Sequence, residues 1–166
     1  AAATEAAAAE IAERWGPADI VVPNAGILLL QHTVDIPLDA WRRVIDVNLT
    51  GAFVTAQGFL RPLLDAGKPG TVIFTSSLFG LRGGRENAAY SAAKFGMVGL
   101  AQSLAAEVAD RGIRVNCVCP GQMETDMIRQ LLRDRAALTG ITPDEVEAKL
   151  VSLIPAGHLG QMEDLA

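Results

Sequence analysis

A tyrosine and a lysine lie four residues apart in the stretch AAYSAAKFG, residues 88–96, and Tyr90 is the only tyrosine of the chain. On a helix, this spacing places Tyr90 and Lys94 on one face, about one turn apart. A free phenol titrates near pH ~10, and a nearby cation stabilises the phenolate and lowers its pKa. A phenol tuned in this way can exchange a proton with a substrate oxygen. On spacing alone, however, a half-buried tyrosine beside a solvated lysine is the commoner arrangement.

The segments that must position this pair alternate between short apolar runs and helical stretches. We predict buried strands in residues 18–27, 71–77 and 113–121, which are short, apolar and bounded by Pro, Gly or Asn. We predict helices in residues 3–15, from an Asp39 cap to about Gly67, 89–110, 125–138 and 143–152.

Strands that alternate with helices of ten residues or more predict βαβ units, and therefore an α/β fold. Its sheet is expected to be parallel and covered on both faces, with right-handed crossovers. Ligands of such sheets bind outside the carboxyl ends of the strands. The loops that contain Asn24, Ser77 and Pro120 should therefore share one rim, with a serine hydroxyl close to the Tyr90–Lys94 pair.

Composition excludes several other classes of function. The chain has 166 residues, half of them hydrophobic, and a formal net charge of −5, which suits one domain or a large part of one. Its scattered charges predict no nucleic-acid partner, and its apolar runs are too short to cross a membrane, so we expect a cytoplasmic protein. Cys117 and Cys119 should lie on one face of a strand as buried, reduced thiols. The two histidines, His32 and His158, have no second ligand at metal-binding spacing, and no metal site is predicted.

Five motifs stand in a fixed order: PNAG at residues 23–26, NLTG with Asn48, SS ending at Ser77, YSAAK at 90–94, and PGQMET at 120–125. With these motifs, the sequence resembles the short-chain dehydrogenase/reductase family along nearly its whole length. The resemblance implies a doubly wound, Rossmann-like parallel sheet in a three-layer α/β/α arrangement. It implies a single, partial NAD(P)-binding domain over residues 1–166, with a substrate lid at about 123–155.

The resemblance also implies a role for each matching residue. Tyr90 would be the general acid/base, Ser77 would orient the reacting carbonyl or hydroxyl, and Lys94 would bind the nicotinamide ribose and lower the pKa of Tyr90. Asn48 would hold a water molecule that links Lys94 to solvent. Hydride would move between the nicotinamide of NAD or NADP and a carbon of a small carbonyl or alcohol substrate, while the protein supplies position and electrostatics.

Further positions match the segments that contact the cofactor in the family. The adenosine side corresponds to Asn24, Ala25 and Gly26, and the nicotinamide side to Pro120, Gly121, Met123 and Thr125. A turn that locks neighbouring strands explains the first set equally well. Pro23 departs from the paired asparagines that are usual in the family, which removes one side-chain amide and one backbone donor.

The Gly-rich turn that receives the pyrophosphate in this family is not found, since no G-x-x-x-G-x-G follows any predicted strand. The chain begins within what resembles the family's third helix and stops before its last strand. We therefore expect the sequence to be the middle of a longer enzyme, incomplete at both ends. On its own it should neither fold nor bind NAD(P) well.

The substrate stays open between two groups of relatives. PGQMETDM and the segment from residue 154 resemble 3-oxoacyl-carrier-protein reductases, whereas the longer segment between them resembles polyol, sugar-alcohol and hydroxyacid dehydrogenases. The alternative function is a non-catalytic scaffold or binding protein that keeps the fold. The helix around Asn48 and the helix after Tyr90 carry apolar outer positions that pack subunits in relatives, so a homo-oligomer, a dimer or tetramer, is expected.

Overall fold

The computed structural model of the chain describes residues 2–165, which form three strands and six α-helices. The strands are β1 (Ile20–Val21), β2 (Gly70–Thr75) and β3 (Ile113–Val118). The helices are α1 (Ala2–Trp15), α2 (Leu38–Ile45), α3 (Gly51–Asp65), α4 (Ala88–Val108), α5 (Asp126–Thr139) and α6 (Pro143–Val151). Each predicted element is present, although the hydrogen-bonded part of β1 is only two residues long.

The three strands form one parallel sheet in the order β1-β2-β3. Because right-handed crossovers between successive neighbours place their helices on the same side, α3 and α4 cover one face. Side chains of β3 show this, since Ile113 and Val115 are buried whereas Arg114 and Asn116 are exposed. Within residues 2–165, the layer of α3 and α4 covers one face of the sheet. These residues supply the sheet and one helical layer.

The main core lies between the sheet and the α3–α4 layer. Phe74 and Val72 of β2 are fully buried, and they pack with Leu63 of α3 and Met97 of α4. Burial of each large apolar side chain contributes about 1.5–3 kcal/mol relative to exposure. This packing fixes the distance between α4, which carries Tyr90 and Lys94, and the strand ends.

The predicted long helix around Asn48 is divided by a π-helical turn, Asp46–Thr50, between α2 and α3. The prediction that Asp39 is the N-cap of this helix is wrong. Pro37 occupies that position, with a φ of −63°, and the helix begins at Leu38. The Asp39 carboxylate instead lies in the first turn, where its negative charge interacts favourably with the helix dipole. The π turn directs the Asn48 side chain into the protein, where it is fully buried.

Helices α5 and α6 form a separate small layer over the carboxyl end of the sheet. Leu131 and Val146 are buried between them, and Leu28 of the loop after β1 packs against the same cluster. The α6 N-terminus carries a capping box, in which Thr142 and Glu145 satisfy each other's backbone amides. Within residues 2–165, no helix is both long and apolar enough to cross a lipid bilayer.

Candidate active site

A cavity of about 280 Å³ lies at the carboxyl ends of the strands, under α5. Nine of the predicted site residues line it: Asn24, Gly26, Ser77, Tyr90, Lys94, Pro120, Gly121, Met123 and Thr125. The parallel topology thus gathers three separate loops at one rim, as the sequence predicts. Two predicted residues lie outside its lining. Ala25 faces a neighbouring cavity beside α3, and Asn48 is buried beneath the rim.

Tyr90 sits in the first turn of α4 with 8% of its surface exposed. Phe79 packs edge-on against its ring, with the ring centroids 6.4 Å apart. Burial raises the pKa of Tyr90 above its usual value of 10.0, and a hydrogen bond with the Ser77 side chain opposes that rise. The phenol is therefore held in its protonated form at neutral pH.

Lys94 lies one turn after Tyr90 and is 4% exposed. Its Nζ donates a 2.7 Å hydrogen bond to the carbonyl oxygen of Thr75, at the end of β2. Burial lowers the pKa of Lys94 from 10.5 to about 8, against an opposing influence of Cys117 and Cys119. The ammonium is thus charged at neutral pH but easily neutralised.

The structure differs here from the implied role of Lys94 in lowering the Tyr90 pKa. The Lys94 Nζ lies 5.4 Å from the centroid of the Tyr90 ring, and it donates its hydrogen bond to the Thr75 carbonyl oxygen rather than to the phenol. Burial is the largest cause of the shift, and the pKa of Tyr90 rises instead of falling.

The Asn48 side chain holds the loop after β1 in place through hydrogen bonds to its backbone. Its Oδ1 accepts from the Ile27 backbone N–H at 3.2 Å, and its Nδ2 donates to the Ile27 and Val44 carbonyl oxygens at 2.9 and 2.8 Å. A Cβ on Gly26 would lie 2.8 Å from the Asn48 Oδ1, so glycine is required for this approach. Both Nδ2 hydrogens and one of the two acceptor positions of Oδ1 are thus used within the protein.

Ser76 is a positioning residue that the sequence analysis did not single out. Its hydroxyl donates a 2.9 Å hydrogen bond to the Lys94 carbonyl oxygen, which ties α4 to the end of β2. A Cβ on Gly80 would collide with the Ser76 Oγ, so the following turn also depends on this contact. The only signal in the sequence is the adjacency of Ser76 to Ser77.

The remaining candidate groups have structural partners. Thr125 caps α5, because its Oγ1 accepts from the Ile128 N–H at 3.3 Å, while its side chain still lines the cavity. Cys117 and Cys119 are free and partly buried, and Cys119 lies just beyond the end of β3. Among the described residues, no group of three or more His, Cys, Asp and Glu side chains is arranged to hold a metal ion.

Glu86 links the loop before α4 to α5. Its carboxylate is 6% exposed and lies 3.3 Å from Arg85, 3.6 Å from Arg135 of α5 and 3.8 Å from His32. Its backbone has a φ of 61°, a conformation that costs non-glycine residues energy. Contacts from three segments of the chain thus hold Glu86 in a strained turn, four residues before Tyr90.

We expect Glu86→Gln to lower the free energy of unfolding by about 1–3 kcal/mol, because the change removes a mostly buried charge that Arg85 and Arg135 both approach. Urea denaturation measures this loss. The matched control is Glu124→Gln, the same substitution in the loop before α5, where the exposed pair with Arg129 should contribute too little to detect. Equal stability of the wild type and the Glu86 variant would show that Glu86 does not anchor α5.

The rim can also be compared with what a nicotinamide cofactor requires. Lys94 uses one of its three donors on Thr75, and among residues 2–165 it has no acidic partner. A Cβ on Gly26 would lie 3.8 Å from the Lys94 Nζ, so glycine keeps the space beside the ammonium open. A buried cation with free donors and open space beside it suits the hydroxyl groups of a ribose. Lys94 and Gly26 therefore fit the ribose of a nicotinamide cofactor.

A parallel α/β sheet with a phenol, a hydroxyl and an amine at the carboxyl ends of its strands has the arrangement of the α/β proteins that bind their ligands at that edge. The model of the short chain dehydrogenase family matches residues 1–136, and the chain belongs to that family. It is 39% identical over 138 residues to D-beta-hydroxybutyrate dehydrogenase of Rhizobium meliloti, covering 83% of this chain and 53% of the relative. It is 35% identical to a 3-oxoacyl-(acyl-carrier-protein) reductase of Salmonella typhimurium, covering 99% of this chain and 63% of the relative.

A solved structure of a variant actinorhodin polyketide ketoreductase with NADPH is similar to the chain, with a TM-score of 0.92 and 32% identity. The similarity covers 98% of this chain and 62% of that one. The predicted family and the Rossmann-like α/β fold are therefore confirmed. The chain spans between about half and two thirds of the length of these relatives.

Proposed function

We propose that the whole protein is an oxidoreductase that transfers a hydride between NAD or NADP and a carbonyl compound or secondary alcohol. The observation that carries the proposal is the meeting of Ser77, Tyr90 and Lys94 at one largely apolar cavity. A bound nicotinamide would supply or accept the hydride. The proposal is supported by the similarity to dehydrogenases and reductases, one of them solved with NADPH.

Each residue of the proposed catalytic set has a separate task. Tyr90 gives its phenolic proton to the carbonyl oxygen during reduction and takes a proton from the hydroxyl during oxidation. The Ser77 hydroxyl holds the same oxygen in place, and the Lys94 ammonium binds ribose hydroxyl groups. The Asn48 backbone would hold the water molecule that reconnects Lys94 with solvent.

The cofactor would lie along the rim formed by the loops after the three strands. Gly26 and Asn24 would contact it on one side, with Ala25 beside them, and Pro120, Gly121, Met123 and Thr125 on the other. Residues 1–166 would form part of one NAD(P)-binding domain, and residues 123–155 would form the lid over the substrate.

To test the proposal, the full-length protein is mixed with NADH or NADPH and a panel of ketones. Loss of nicotinamide absorbance supports it, and no loss with any ketone contradicts it.

The raised pKa of Tyr90 predicts opposite pH dependence for the two directions of the reaction. Carbonyl reduction needs the protonated phenol and the charged Lys94, so kcat/KM should stay level at neutral pH and fall as the pH passes about 8, where Lys94 loses its proton. Alcohol oxidation needs the phenolate, so kcat/KM should rise about tenfold per pH unit from pH ~6 to about pH 8 and less steeply above it. Initial rates between about pH 6 and pH 9 measure both profiles. An oxidation rate that does not change over this range would contradict the assignment.

We also propose that the protein is cytoplasmic and a homo-oligomer, a dimer or tetramer. The outer positions of α3 and α4 include two apolar aromatic side chains, Phe53 and Phe95, which are 41% and 46% exposed. Burying such surface against a second copy would stabilise an assembly. Light scattering on the full-length protein should give a multiple of the chain mass, and a monomeric mass would exclude this assembly.

A further inference from the structure

A second cavity, of about 330 Å³, lies between α5 and α6. Its walls include Ile141, Val146 and Leu150, all apolar. Three side chains, those of Phe79, Gln122 and Leu131, line both this cavity and the reaction cavity. The two spaces are therefore neighbours that share a wall.

The reaction cavity itself offers little to a charged substrate. Leu28, Phe79, Ile128 and Leu131 form its apolar side. Of the residues that the structure describes, Lys94 is the only charged one in its lining, and Lys94 already bonds Thr75. A carboxylate or phosphate next to the reacting carbon would lose its water, and it would have to compete for Lys94 with the ribose that the proposed function places there. The lining therefore favours an apolar chain beside the reacting carbonyl.

The second cavity, in contrast, has two cations in its lining, Arg135 and Lys149, and no acidic residue among the described ones. Arg135 is partly neutralised by Glu86 at 3.6 Å, but its Nε is buried without an acceptor. Lys149 is exposed and forms no ion pair within residues 2–165. A positive, apolar-walled space of this kind suits the anionic end of a chain-like molecule.

We propose that the substrate is an elongated oxo acid, or the matching hydroxy acid. Its reacting carbon lies at Ser77 and Tyr90, its apolar chain passes Phe79 and Leu131, and its terminal carboxylate lies near Arg135 and Lys149. The inference rests on the proposed function and deepens it by naming the substrate class. It separates this chain from enzymes for short polyols, whose hydroxyl groups would find few partners on the apolar side of the reaction cavity.

The test uses the full-length protein, NADH or NADPH, and methyl-ketone acids of increasing chain length, each compared with its neutral methyl ester. Above a threshold length, kcat/KM for the acid should exceed that for the ester by about two- to fivefold, as expected for a partly exposed ion pair. Lys149→Gln should remove most of that preference and leave the ester unchanged. Lys68→Gln, which changes an exposed lysine outside both cavities, is the matched control and should alter neither rate.

Two results would overturn the inference while leaving the proposed function intact. One is equal kcat/KM for acid and ester at every length, and the other is faster turnover of short polyols or short hydroxy acids than of any long oxo acid. Absence of hydride transfer with every carbonyl compound, acidic or neutral, would instead overturn the proposed function, and the substrate class would fall with it.

Discussion

Tyr90→Phe in the full-length protein should lower kcat for carbonyl reduction by about 10²–10⁴-fold, which is the usual contribution of a positioned general acid. The change removes the phenolic hydroxyl that lies beside Ser77 and keeps the ring that packs edge-on against Phe79. Because the ring stays, the core should be unaffected and thermal unfolding should shift little. Initial rates of NADH or NADPH oxidation with a ketone measure the effect.

Ser91→Ala is the matched control, since it also removes one hydroxyl from α4. Ser91 Oγ accepts from the Gly84 backbone N–H at 3.3 Å, and the residue does not line the reaction cavity. Its kcat should stay near that of the wild type. Full turnover by Tyr90→Phe would show that another group supplies the proton.

Lys94→Met should have opposite effects on activity and on stability. We expect kcat/KM to fall by about 10²-fold or more, because the buried cation and its hydrogen-bond donors beside the cofactor are lost. The pKa of Lys94 is lower in the folded protein, at about 8, than its ordinary value of 10.5. Folding therefore opposes the charged form, so the ammonium destabilises the protein below pH ~8, and the cost disappears as the pH rises toward the ordinary value.

The size of that cost is at most about 3 kcal/mol, from the difference between the two pKa values. Lys94→Met relieves this cost, but it also removes the 2.7 Å hydrogen bond to the Thr75 carbonyl, which lowers the stability by about 1–2 kcal/mol. Lys94→Met should thus be as stable as the wild type or more stable near pH 7, with its advantage shrinking as the pH rises. Urea denaturation at several pH values measures this, with exposed Lys68→Met as the control. A large loss of stability at pH 7 would contradict the account.

The positions of the proposed catalytic residues could be predicted from the sequence because simple geometry sets them. A four-residue spacing on a helix fixes Tyr90 relative to Lys94, and parallel topology brings the end of β2, with Ser77, to the same rim. The apolar runs also located all three strands. These features depend on local patterns and on the handedness of crossovers, which a single sequence contains.

Other features depend on contacts between distant segments, and the sequence did not predict them. Glu86 stands in a loop rich in Gly and Arg, and its burial depends on Arg135 of α5. The π turn at Asp46–Thr50 follows a pattern that also suits a regular helix. The direction of the Tyr90 pKa shift results from a balance between burial, which raises the pKa, and the Ser77 hydroxyl, which lowers it, and burial is the larger influence.

The most direct test of the central claim is the transfer of deuterium. The full-length protein is incubated with NADH or NADPH that carries deuterium at both C4 positions of the nicotinamide ring, together with each ketone of the panel, including a long-chain oxo acid. The product is then analysed by mass spectrometry and NMR. The account predicts one deuterium on the new carbinol carbon in the product of the wild type and almost no product from Tyr90→Phe. A product without deuterium at that carbon, or no product with any ketone, would contradict it.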